Sequence, residues 1–151
     1  MRRAARTKVA ALALLASVMA WSSCSHAPTE PSGGGIDVSG QWAGAASDTT
    51  GFGDMLWRLT QSGSTFTGTA EITDRGLNIT GLGTVFGSSV AGALQFTLVV
   101  PSGGFGAPFE ACSTTVTGEA TAGATSLAGT YTGTSTCGGR IYAGQMVLRR
   151  L

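Results

Sequence analysis

Between residues 110 and 140 the chain reads EACSTTVTGEATAGATSLAGTYTGTSTCGGR, and this stretch limits the fold more than any other. Small polar residues alternate along two arms joined by a Thr-Ala-Gly-Ala-Thr turn at 121–125, so the arms fold back about a centre between Ala124 and Thr125. In that register Ala122 faces Leu127, Gly118 faces Tyr131, Val116 faces Gly133, and Cys112 falls opposite Cys137. Two cysteines meeting in the register that the turn itself sets are expected to form a disulfide across neighbouring strands.

The hairpin belongs to a longer series. From Val38 onward no stretch carries helical periodicity of useful length, and short β-branched and aromatic runs punctuated by Gly, Asp and Ser recur down the chain. Eight strands are predicted, at 40–47, 54–61, 65–73, 78–88, 93–100, 110–120, 126–135 and 140–149. Consecutive hairpins and an even strand number favour an all-β, eight-stranded antiparallel up-and-down meander closed into a barrel, which leaves no free edge. A β-sandwich is the competing architecture. Alternation puts Met55, Trp57 and Leu59 on one face of the second strand, and Leu94, Phe96, Leu98 and Val100 on one face of the fifth. A turn at 62–63 would set Leu59 against Phe66 and Trp57 against Gly68, with an aromatic ring across an opposed glycine there and again at Tyr131 and Gly118. The fourth strand has no clear phase, because Val85 and Phe86 claim opposite faces.

A meander also sorts its loops. Those after strands 2, 4 and 6 are tight and share one end; those at 47–54, 73–77, 101–109 and 137–140 are longer and share the other. Both termini of the barrel fall at the tight end, so the mouth points away from whatever holds the N-terminus.

The first 23 residues are a different material. Arg2, Arg3, Arg6 and Lys8 precede an apolar run of about a dozen residues, the pattern of a secretory signal and too short to span a bilayer. The signal ends Ala20-Trp21-Ser22-Ser23-Cys24, which resembles a bacterial lipobox, although Trp21 stands where that family prefers Leu. The resemblance implies lipidation of Cys24. Cysteine arithmetic agrees: of three cysteines, pairing 112 with 137 leaves Cys24 over. The other reading is a soluble secreted protein cleaved near Ser23. Residues 24–37, rich in Pro, Ser and Gly, form a flexible tether between the lipidated cysteine and the barrel domain at 38–151. The expected location is extracytoplasmic, with the chain held to a bacterial membrane by lipid in the periplasm or at the cell surface.

Loss of the signal removes four positive charges and leaves five arginines against eight carboxylates, about −3, with no lysine. A mildly acidic surface without basic clusters argues against nucleic-acid binding. The single histidine, His26, lies on the tether. A domain without histidine or lysine has no Ser-His-Asp triad, no histidine metal site and no Schiff-base lysine, so neither a cofactor nor a metal is expected.

Gly40-Gln41-Trp42 on the first strand and Arg149-Arg150 closing the last resemble the signature of the calycin barrels, the lipocalins and avidin-like proteins. The resemblance implies that Trp42 packs beneath one of Arg149 or Arg150 and, with Gly40, seals the bottom of the barrel. Avidin-like biotin sites use a polar residue soon after this tryptophan and several further tryptophans. Ala43 and Gly44 stand there instead, and the barrel holds only Trp42 and Trp57, so biotin is not the expected ligand.

Recognition at the mouth remains. Phe52, Phe105 and Phe109 share the long loops with Arg75 and Arg140, giving apolar contacts with a few charges around them. One reading is a cell-envelope lipoprotein with a lipocalin-like barrel that binds a small apolar ligand at its open end. The alternative is a filled barrel acting as an interaction or envelope-structural module toward a protein partner, as inhibitors of avidin-like fold do. A carboxylate-pair enzyme would need two of Asp48, Asp54, Asp74 and Glu110 within about 5 to 10 Å. Loop acids of this kind ordinarily form turns, and the chain is read as non-enzymatic.

Overall fold

A computed structural model describes residues 36–151. The expected signal segment at 1–23, Cys24, His26 and the expected tether up to residue 35 lie outside the described residues. Eight strands follow one another: β1 (Gly40–Asp48), β2 (Gly51–Ser62), β3 (Thr65–Asp74), β4 (Ile79–Val90), β5 (Ala93–Val100), β6 (Thr114–Ala122), β7 (Ser126–Ser135) and β8 (Gly139–Arg150). Each pairs antiparallel with the next, and β8 returns to β1, so the sheet closes into a barrel. The meander is as expected, and the sandwich is excluded.

Alternation does the sorting. Trp57, Phe66, Val85, Leu94, Phe96, Leu98, Leu127, Met146 and Leu148 are buried inside, whereas the threonine-rich intervening positions face outward. An apolar interior under a largely polar exterior is the reverse of a lipid-facing barrel. The fourth strand acquires its phase here: Val85 is fully buried, while Leu82 and Phe86 are exposed. Its phase is hard to read because Gly81, Gly83 and Gly87 share the inner face with Val85, which leaves the larger apolar residues outside.

The β6–β7 hairpin has the expected register, with Ala122, Gly118 and Val116 opposite Leu127, Tyr131 and Gly133. Just beyond the ladder Cys112 and Cys137 are bonded, with their Cα atoms 5.6 Å apart. Strand β6 starts at Thr114 rather than at residue 110. The preceding residues turn back on themselves instead, with Gly103 N–H donating to Glu110 O and Cys112 N–H to Phe109 O.

Two other expectations are corrected. The β2–β3 turn is centred one residue later, at 63–64. Gly63 takes φ 59° at the first central position, where a two-residue hairpin of type II′ wants glycine. Leu59 therefore opposes Gly68, Trp57 opposes Ala70 and Gln61 opposes Phe66. A shift of two leaves every side chain on its predicted face. The expected long loop at 47–54 is a two-residue turn, since β2 begins at Gly51. Asp48 holds it, accepting hydrogen bonds at Oδ1 from Thr50 N–H (2.7 Å) and Thr50 Oγ1 (2.6 Å).

The aromatic-over-glycine contacts exist, but on other strands. Phe96 lies over Gly118, where a Cβ would come within 2.6 Å of the ring, and Tyr131 lies over Gly144, where it would come within 2.4 Å. Beside that contact β8 carries a bulge: the pairing slips between Tyr131 and Gly133, and Ala143 sits at φ 49°.

Candidate binding site at the open end

The termini and the tight turns share one end. There the Trp42 indole N–H donates to Val38 O at 2.8 Å, and the Arg150 guanidinium stacks 4.5 Å above the ring. Arg150 Nη1 also donates to Ser39 O at 2.8 Å, and Nη2 donates to Asp37 O. Gly40, at φ 118°, passes within 3.5 Å of Arg150 at its Cβ position. Of the two candidate arginines it is therefore Arg150 that seals the barrel, while Arg149 points outward and is exposed. The layer above is solid: Trp42, Trp57, Leu94, Leu127 and Leu148 have almost no exposed surface, and Trp57 meets Phe96 edge to face at 5.1 Å.

The other end is hollow. A cavity of about 290 Å³ opens there, with Met55, Ile72, Leu98, Val116 and Ile141 among its wall residues. The space exists because the strands end in small inward residues, Ala46 on β1, Gly51 and Gly53 on β2 and Ser135 on β7. The small inward residues of the mid-barrel, Gly68, Ala70, Gly118, Ala120, Gly129 and Gly133, do not line it. The Phe96 ring occupies the space over Gly118.

Of the predicted mouth residues, Phe105 is half buried, packs on Gly81 and reaches the core; Leu82 N–H donates to Gly104 O at 2.8 Å to fix it there. Phe109 and the Cys112–Cys137 disulfide stand at the cavity wall. Phe52 borders the cavity from strand β2 rather than from a loop, and it is mostly exposed. The two arginines are not brought to it. Arg75 donates through Nε and Nη2 to Asp54 at 2.7 and 2.6 Å, an exposed fork that holds the Asp54 carboxyl below its usual range. Arg140 turns outward to the Tyr142 hydroxyl at 3.1 Å.

Compared with known proteins, the chain matches no family model, no curated protein and no solved structure. Its closed eight-stranded antiparallel barrel is consistent with the calycin-like architecture that Gly40, Trp42 and the terminal arginine imply.

The sequence places Asp48 and Asp74 among the mouth acids and reads them as turn formers; what it does not show is that both, with Tyr131, face inward. Asp48 continues the inward phase of Trp42, Gly44 and Ala46, and Asp74 continues that of Phe66, Ala70 and Ile72. The Tyr131 hydroxyl crosses β8 and donates to Asp48 Oδ2 at 2.8 Å. Burial first, and then that hydrogen bond, push the Tyr131 hydroxyl well above its ordinary range. Period-two counting carried one residue past the predicted strand ends at 47 and 73 finds both acids. Glu110 is exposed and outside the cavity wall. Among the described residues no three His, Cys, Asp or Glu side chains converge as metal ligands.

Proposed function

We propose that this chain is a lipid-anchored protein of the bacterial cell envelope whose barrel binds a small apolar ligand at its open end, without catalysis. The observation that carries the reading is the cavity of about 290 Å³, close to the lower size of small-molecule sites and walled by Met55, Leu98, Val116 and Ile141. The described chain enters at the opposite, sealed end through Ile36 and Val38. Anchoring through Cys24 therefore leaves the mouth facing away from the membrane. Titration with an uncharged naphthyl fluorophore tests the binding: saturable enhancement, reversed by an aliphatic alcohol, is expected, and a flat titration contradicts it. The anchor is tested by fractionation, in which Cys24→Ala releases the protein from membranes.

A second reading, an interaction module, is favoured by the outer face of β4. Leu82, Phe86 and Val90 recur there at every fourth position and are all exposed. Retention of an envelope protein by the native chain, lost in Leu82→Ser with Phe86→Ser, supports it.

A further inference from the structure

We infer that the open end selects a ligand with a cationic head on its apolar body, an alkyl amine rather than a fatty acid. This rests on the reading of the cavity as a binding site and adds the charge of the ligand to it. The charged residues lining the cavity are Asp48, Asp54 and Asp74, and no arginine, lysine or histidine lines it. Asp54 is spoken for by the Arg75 fork on the outside. Asp48 and Asp74 are not cancelled in this way. The donors to Asp48 are Tyr131 Oη, Thr50 N–H and Thr50 Oγ1, and the donor to Asp74 Oδ1 is Leu77 N–H, all neutral.

Their placement is favourable for a head group. Asp48 pairs with Gly51 and Asp74 with Gly53, so the two acids flank a strand end whose inward positions carry no side chains. With neighbouring strands about 4.8 Å apart, the flanking backbones stand roughly 10 Å from each other. Asp74 Oδ2 leans over the bare floor, 3.2 Å from where a Cβ on residue 51 would lie. An ammonium group entering above Gly51 and Gly53 meets two carboxylates, with the apolar wall formed by Met55, Leu98 and Ile141 below it for the tail. A fatty-acid carboxylate in the same position meets like charge beside a low-dielectric wall, where repulsion is least screened.

Isothermal titration of the purified protein with octylamine, 1-octanol and octanoate separates the possibilities. The amine is expected to bind about tenfold tighter than the carboxylate, with the alcohol between them and the gap narrowing at high salt. In Asp74→Asn the amine-to-carboxylate ratio should fall toward one, whereas the exposed Glu110→Gln, an equal change in net charge, should leave it in place. Octanoate binding as tightly as octylamine, while octanol binds, overturns the inference and leaves the apolar site standing. Failure of all three ligands overturns the site itself. An equal fall of the ratio in Glu110→Gln assigns the preference to overall charge and removes Asp48 and Asp74 from the head-group site.

Discussion

At one end of the barrel Trp42, Leu94, Leu127 and Leu148 fill the interior beneath the Arg150 guanidinium; at the other the small inward residues Ala46, Gly51, Gly53 and Ser135 surround open space. Closure and strand number are shared by the two ends, so backbone geometry does not decide which is solid. The size of the inward residue in each layer decides it, because an eight-stranded barrel is just wide enough for large side chains to fill. The chemistry of the two ends differs in the same way. A cation stacked on an indole and bonded to main-chain oxygens locks the floor, whereas uncompensated carboxylates border the mouth.

The contrast can be broken by mutation, and the largest effect belongs to the floor. Trp42→Ala should lower stability by about 4 kcal/mol in urea unfolding, since it removes a fully buried ring and the partner of Arg150 together. A loss no greater than that of a surface substitution would mean that the sealed end does not hold the fold together. Opening the Cys112–Cys137 link, 25 residues apart in sequence, by alanine at both positions should cost about 3 kcal/mol. The loosened segment at 101–113 carries Phe105 and Phe109, so probe affinity should fall as well. Arg150→Met should cost about 2 kcal/mol through the lost stacking and hydrogen bonds, while Arg149→Met, one residue away and outward, should be silent.

Smaller effects sharpen the other half of the comparison. Ala46→Leu places bulk in the empty layer, so it should abolish fluorophore binding while stability changes by under about 1 kcal/mol. Tyr131 gives an alkaline signature. Its folded pKa is raised, so its contribution is fully present below the unfolded tyrosine value of about 10 and is lost as pH rises through the higher folded value. Urea midpoints that drop in strongly alkaline buffer, with a shallower drop in Tyr131→Phe, would bear this out.

Much of this architecture was legible in the sequence for local reasons. The turn at 121–125 fixed a register that placed Cys112 on Cys137, and the alternation around Trp57 and Phe96 gave the inner face directly. The even loop sorting placed Trp42 and the terminal arginine at the same end. What was not legible depends on the neighbouring strand. Gly118 was expected under Tyr131, but the ring that covers it is Phe96 from the strand on its other side. The mouth is hard to read because a short Asp-Thr-Thr-Gly turn looks like a longer polar loop in sequence. Strand β2 thus reaches Gly51, Asp48 ends a strand, and the cavity lies above the mid-barrel glycines. Arg75 and Arg140 lie within the predicted mouth loops and so read as facing a ligand; each instead satisfies an outer partner, Asp54 or Tyr142.

The division between a sealed floor and a receptive mouth is tested most directly by methyl NMR during titration with the uncharged naphthyl fluorophore. The account predicts shifts at Met55, Leu98, Val116 and Ile141, which wall the cavity, and none at Leu94, Leu127 and Leu148 in the filled layer. Shifts concentrated on the outer residues Leu82 and Val90, or spread through the filled layer, would contradict it.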